Sequence, residues 1–405
     1  MTKILLVISK YLPEYTGAAY RIDGLYRRLQ KADETIEVEI LCNSTTQVSS
    51  ERYNHNGFNV KRVVCPWQLS WMPSRVKNAV KKYYEAVACW CYLRRTRPDI
   101  LHIVGFSGAT TAALLYGGVR RIPRLVELVT AGATPRQYLP GLRYSARLNL
   151  DSQTVIIAIS QKLANDCRDI NLVHNVWCRP NPINGDKCSL VSSEIKDQLR
   201  AALSPFHKDD IVITMVAKFM PQKNQIFMVE VLKHLSDDYK LLLAGPRAES
   251  GMFKQRDQKY FEDLLCLIKE NNLEHRVHIC TEFVEASDYM KAADIYVMPQ
   301  HTEGLGTPML EAMACGLPVV ANADEPAFRE WVKDGQNGYL CKMQPEEWAE
   351  MLTKSLEISA EKLEKSARHI HDVASVTQCD MHYISLLNAL KKTSPNETLK
   401  VCDVL

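Results

Sequence analysis

The chain is short of several features that would place it in familiar classes. No apolar run approaches the roughly 20 residues that a membrane-spanning helix needs. The opening segment Met1-Thr-Lys-Ile-Leu-Leu-Val-Ile-Ser9 is too short for a signal peptide and carries no cleavage pattern. The 13 cysteines in 405 residues are odd in number and scattered. Cys89-Trp-Cys91 lacks metal-ligand spacing, so reduced, mostly buried thiols are expected. No Asp-x-Asp metal pair occurs, and no metal is expected. What remains is a globular composition, 46% hydrophobic and 24% charged, long enough for two domains with full cores. The expected compartment is cytoplasmic.

The net charge of +3 hides an asymmetry. Residues 1–180 hold 25 Lys/Arg and 13 Asp/Glu, whereas residues 181–405 hold 25 and 34. A basic first half implies an anionic partner, with nucleic acid and an acidic membrane surface as the candidates. The charge concentrates in residues 67–97, where seven basic residues from Arg75 to Arg97 face one acid, Glu85, beside Trp67, Trp71, Tyr83 and Tyr84. Such a stretch suits the headgroups of an anionic bilayer, at about 1 kcal/mol per basic residue. It reads equally well as a solvated helix packed through Val80, Tyr84 and Val87.

The most informative stretch runs from Tyr296 to Asn322. Ile295–Met298 is an apolar run that reads as a buried parallel strand, ending at Pro299 and feeding a loop with Gly304 and Gly306. Pro308 suits the first helical position, with Thr307 as N-cap. Leu310, Met313 and Ala314 give a helical stripe, Gly316 ends it, and Pro318–Ala321 starts the next strand. A helix start behind a glycine loop presents N–H groups that suit a phosphate. Glu303 and Glu311, with seven residues between them, do not bind phosphate but accept hydrogen bonds from sugar hydroxyls on either side of it. The constellation suits a nucleotide-sugar. An ordinary βαβ unit with solvent-facing glutamates is the alternative.

The run Glu303-Gly-Leu-Gly-x-Pro-x-Leu-Glu311-Ala-Met-Ala-x-Gly-x-Pro-Val-Val resembles the Glu-x7-Glu signature of the family 4 retaining glycosyltransferases. The resemblance implies the GT-B fold, an α/β architecture of two doubly wound Rossmann-like domains facing a cleft, with a C-terminal helix crossing back. The implied organisation is an acceptor-binding domain over 1–185, a linker over 186–207, a nucleotide-sugar domain over 208–370, and a returning helix and tail over 371–405. Strand–helix alternation in both halves agrees.

The resemblance also implies roles. Lys218 and Lys223 would hold the donor diphosphate; Lys218 stands where the family has arginine, which keeps the charge but not the bidentate grip. Gly17, preceded by Thr16 where the family has a glycine pair, would face the same diphosphate. Val284 lies in the loop whose backbone would read the nucleobase. Glu303 would take the donor-sugar hydroxyls, the backbone of Gly304, Leu305, Gly306 and Thr307 the phosphates, and Glu311 the ribose. Thr130 stands where many family members carry a histidine, and Thr130 and Arg136 are the acceptor candidates. The catalytic set is Glu303, Lys218 and Lys223. The expected reaction moves a hexose-type sugar from a UDP- or GDP-sugar to a glycan or lipid-linked acceptor, with retention, no cofactor and no metal, in cell-surface polysaccharide or glycolipid synthesis. Nucleic acid is then not an expected partner, and the enzyme would work at the inner membrane face. The rivals are a sugar-nucleotide epimerase of the same fold and a non-catalytic nucleotide-sugar-binding protein.

Overall fold

The computed structural model describes residues 1–14, 16–67, 71–129, 153–168, 175–249, 253–394 and 399–405. Thr130 and Arg136 lie outside them. The chain forms two compact units, one of residues 1–179 with 377–405 and one of residues 180–376.

The first unit is built on eight strands: β1 (Thr2–Ile8), β2 (Ile36–Cys42), β3 (Glu51–His55), β4 (Phe58–Arg62), β5 (Ile100–Val104), β6 (Arg124–Leu128), β7 (Thr154–Ala158) and β8 (Val176–Cys178). Their order across the sheet is β3-β4-β2-β1-β5-β6-β7-β8, so the apolar opening run is central, and only β3 runs antiparallel. Its helices are α1 (Gly17–Ala32), α2 (Ser74–Thr96), α3 (Gly108–Arg120) and α4 (Gln161–Arg168). Thr16 caps α1 by accepting the Ala19 N–H at 3.1 Å. Ile22, Leu25, Tyr26 and Leu29 of α1 share a core with Ile4, Leu6 and Ile8 and with Tyr383, Leu386 and Leu390 from the end of the chain.

Sequence reading misses the hairpin β3–β4, although Asn56-Gly57 marks its turn. Both residues hold positive φ, 50° and 90°, as the tightest hairpin turns require. The basic helix α2 also departs from expectation. Val87 is exposed, and the fully buried residues are Cys89 and Leu93. The helix packs on α3 at Gly108, where an added Cβ would stand 2.0 Å from the Lys82 carbonyl oxygen. Trp67, Trp71 and Tyr83 are exposed.

The second unit carries six parallel strands: β9 (Ile211–Val216), β10 (Tyr239–Ala244), β11 (Val277–Cys280), β12 (Ile295–Met298), β13 (Val319–Asn322) and β14 (Gly338–Cys341). Their order is β11-β10-β9-β12-β13-β14. The direction of winding reverses between β9 and β12, and the loops leaving those two strands line a crevice suited to a ligand. The helices are α5 (Ser193–Leu203), α6 (Gln225–Leu232), α7 (Lys254–Glu270), α8 (Ala286–Lys291), α9 (Thr307–Ala314), α10 (Pro326–Arg329), α11 (Pro345–Ser355) and α12 (Ala360–Val373).

Residues 186–207, read from sequence as a linker, are part of this unit. Arg200 of α5 is 2% exposed. It donates to the Ala292 and Asp210 carbonyls at 2.9 and 2.8 Å and pairs with Asp294 at 2.8 Å. A polar helix pinned by one buried guanidinium shows little apolar periodicity, which is why the sequence hides it. The terminal helical stretch is likewise two helices. α12 stops where the Ile183 N–H donates to the Ala374 carbonyl at 2.9 Å, and α13 (Val376–Lys392) follows, placing residues 377–405 in the first unit. Among the described residues no helix is long and apolar enough to cross a membrane.

Candidate active site

The expected donor residues of the second unit collect on the two loops at the winding reversal. The loop after β9 runs from Lys218 through a 3-10 turn, Pro221–Lys223, to Asn224 in a left-handed conformation and then into α6. The loop after β12 runs from Pro299 to Gly306 and into α9. Lys223 Nζ donates to Glu303 Oε1, joining the loops through two residues 80 positions apart. Asn224 Nδ2 reaches the Pro299 carbonyl at 3.4 Å.

Gly306 carries the tight approach. Its φ is +83°, and an added Cβ would stand 2.8 Å from the Phe328 ring and 3.3 Å from the Met298 methyl. Any side chain here would displace the start of α9. Gly306 is also the N-cap, with Thr307 and Pro308 the first two helical residues, so the expected Thr307 cap shifts by one position. The reason is that the Thr307 hydroxyl is engaged elsewhere: it accepts from Asn181 Nδ2 at 2.9 Å. At the first helical position the Thr307 N–H has no helical carbonyl to serve, and Pro308 has no N–H at all. The helix start therefore offers a compact anion-binding corner.

The two glutamates are held very differently. Glu303 is fixed at both ends, its carboxylate by Lys223 and its N–H by Glu325 Oε2 at 3.0 Å. Glu325 is 5% exposed and also caps α10 through the Ala327 N–H. The carboxylate of Glu311 accepts no hydrogen bond from a described residue. Burial and then the nearby Glu285 push its pKa up to about 7. A desolvated acid without a donor, in the crevice of an α/β sheet, marks a functional position. Both glutamates act on the buried phenol of Tyr296, raising its pKa further than burial does alone.

The expected lysine pair is split. Lys218 Nζ turns to Asp257 at 3.0 Å, and Asp257, 2% exposed, is gripped on its other oxygen by Arg256 at 2.7 and 2.9 Å. Lys223 alone meets Glu303. Val284 lies half-buried in the loop between β11 and α8. Gly304 is half-buried and Leu305 buried in the loop after β12. Gly17 belongs to the first unit, where it opens α1 with open space around its α-carbon. Sequence reasoning misses Asn181, Asp257 and Glu325 as supports. Asn181 lies in the proline-rich turn Pro180-Asn-Pro-Ile-Asn184, and the other two carry no local signal.

Comparison with known proteins identifies the family and the fold. Residues 16–181 match the family model described as glycosyl transferase 4-like domain, and residues 197–370 match the one described as glycosyl transferases group 1. An uncharacterized glycosyltransferase of Haemophilus influenzae is 37% identical over 81 residues, 20% of this chain and 23% of that one. The putative teichuronic acid biosynthesis glycosyltransferase TuaC of Bacillus subtilis is 22% identical over 265 residues, 63% of this chain and 59% of that one. The chain thus aligns with less than two thirds of the length of either. The crystal structure of Anabaena Alr3699/HepE in complex with UDP-glucose shares the fold at a TM-score of 0.72 and 17% identity, covering 96% of this chain and 100% of that one. With a family model matching each of its two parallel-sheet units, the chain belongs to the family 4 glycosyltransferases of the GT-B fold.

Proposed function

We propose that the protein transfers a hexose-type sugar from a UDP-sugar to a glycan or lipid-linked acceptor, with retention of anomeric configuration and without a metal. The observation that carries this is the Lys223–Glu303 bond beside the Gly306–Thr307 helix start. It sets a cation, a helix N-terminus and a sugar-gripping carboxylate on one corner of the second unit. Breaking a sugar–diphosphate bond puts positive character on the anomeric carbon and negative charge on the departing oxygen. Preorganised cations and backbone dipoles stabilise that departing charge most effectively, and here they come from Lys223 and the start of α9. Lys218, steadied by Asp257, adds a second cation on the loop after β9.

Glu303 takes the donor-sugar hydroxyls and Glu311 the ribose. The acceptor hydroxyl attacks from the leaving-group side, its proton passing to the departing phosphate oxygen. UDP is favoured over GDP by the Anabaena neighbour, whose crystal holds UDP-glucose. A cell-surface polymer is supported by the name of the Bacillus subtilis relative. The exposed Trp67, Trp71 and Tyr83 beside the basic face of α2 support docking on an anionic membrane.

Incubation with a panel of sugar nucleotides tests the reading. Slow release of nucleoside diphosphate from a UDP-sugar is expected, lost in a folded Glu303→Ala variant. Interconversion of the sugar without release would identify an epimerase instead, and tight binding with no turnover in the presence of acceptors would identify a binding protein.

A further inference from the structure

A cavity of about 490 Å³ opens on the first unit, between the hairpin β3–β4, the first halves of β1 and β2, and the last turns of α2. It is built away from the carboxyl ends of the strands, where a nucleotide is received in such folds. Its charge is unbalanced. Of the two carboxylates in its wall, Glu37 is paired with Lys3 at 4.0 Å, and Glu39 keeps its charge while accepting from the Tyr92 hydroxyl at 3.2 Å. The cations Arg52, Lys61 and Arg95 line the same cavity, and none of their side chains has a hydrogen-bond or ion-pair partner among the described residues.

The hairpin register sharpens the point. Arg52 lies directly opposite Lys61, whereas the neighbouring pair, Glu51 opposite Arg62, is complementary and bonded. Like charges facing each other across a hairpin destabilise it. An anion lodged between them removes that repulsion. Around the cations stand Asn59, the phenol of Tyr92 and the carboxylate of Glu39. These are hydrogen-bonding groups of the kind that sugar hydroxyls need, and they set the site apart from one for a bare inorganic ion.

We propose that this cavity binds an acidic sugar unit of the acceptor glycan, away from the end that receives the new residue. The proposal rests on the transferase reading for its choice of glycan. Arg52 and Lys61 clasp the acidic group, Arg95 takes a second charge from the helix side, and Asn59 and Tyr92 meet the hydroxyls. The protein would therefore prefer an acceptor that carries acidic sugars along its length, not only at the reacting end.

Calorimetric titration of the full chain with hexagalacturonate, maltohexaose and inorganic phosphate tests this, on the native protein and on Arg52→Gln/Lys61→Gln. The double variant should weaken hexagalacturonate binding about tenfold, the loss of two partly exposed charge pairs, while melting at or above the native temperature. Maltohexaose should bind at least tenfold more weakly than hexagalacturonate. Equal binding of hexagalacturonate by the double variant overturns the proposal. So does equal affinity for the neutral hexamer, or displacement of hexagalacturonate by millimolar phosphate, which would make this a simple anion site. Binding of UDP and of the UDP-sugar panel is followed in parallel by thermal shift. If it is absent while hexagalacturonate binding and its loss persist, the transferase reading fails and the cavity stands.

Discussion

Two carboxylates withdrawn from water to different extents, one in each unit, reach opposite states. Glu127 of β6 is 0% exposed and surrounded by partners. It accepts from Arg21 and from the Tyr383 hydroxyl, lies 3.4 Å from Arg179 Nη2 and 3.3 Å from His102 Nε2. Although burial raises its pKa, Arg21, His102 and Arg179 together hold it well below the usual carboxylate range. Glu311 of α9 is half-buried and accepts no hydrogen bond from a described residue, so desolvation and the nearby Glu285 raise its pKa to about 7. A carboxylate whose partners come from its own unit ties that unit together. A carboxylate left without them is available to a ligand, and the fold carries the cost of desolvating it.

The comparison is broken most severely at Glu127. Glu127→Gln leaves Arg21 and Arg179 buried beside a neutral amide, and removing one partner from such a cluster costs about 3–5 kcal/mol. Chemical denaturation at pH 7 should show that loss. The sign with pH follows from the lowered pKa. The carboxylate contributes stability that is fully present above its unfolded value of about 4.3 and is lost as pH falls below it. The gap between native and variant should therefore close in acid. Tyr383 belongs to the returning segment 377–405, so a folded variant should release that segment first, as faster hydrogen exchange there than in β1. A variant as stable as the native chain would show that Glu127 is no tie.

The next effect sharpens the contrast from the ligand side. Lys223 is the cation that meets Glu303, and Lys218 is held by Asp257. Lys223→Ala should lower turnover about 10²–10³-fold, as for loss of one preorganised group facing a developing oxyanion. Lys218→Ala should lower it about tenfold or less, since its ammonium is part-neutralised. Initial rates with a UDP-sugar decide the order, and equal losses would mean that both lysines meet the phosphates directly.

Legibility followed distance along the chain. β12, the glycine loop, α9 and β13 were readable because one continuous stretch holds the apolar runs, Gly306 and Pro308. The supports of that site were not. Glu325 reaches the Glu303 N–H from 22 positions away and Asp257 reaches Lys218 from 39, and a polar residue in a helix or a turn looks alike whether it faces water or a neighbour. The Glu127 cluster was illegible for a stronger reason. It joins Glu127 of β6 to Arg21 of α1, His102 of β5, Arg179 just after β8 and Tyr383 of α13, and only the backbone brings them to one point. The hairpin and α5 fell between these cases: Asn56-Gly57 was a usable signal, whereas the burial of Arg200 runs against expectation for its residue type.

The smallest effect expected is at Glu311 itself, and it tests both halves of the comparison at once. With a folded pKa of about 7 and an unfolded one near 4.3, the folded chain holds a proton that the unfolded chain has released. Stability on this account falls as pH rises from about 4.3 to 7 and then levels off. Glu311→Gln cannot ionise, so it should be more stable than the native chain at pH 8 and equal to it near pH 4. The same substitution should weaken UDP binding about tenfold at pH 8, because an amide oxygen is a poorer acceptor for ribose hydroxyls than a carboxylate. Thermal melts at both pH values, with and without UDP, read both quantities. A variant less stable at pH 8 would mean that Glu311 is satisfied within the fold like Glu127, and the distinction between a tying and a receiving carboxylate would fail at the residue that defines it.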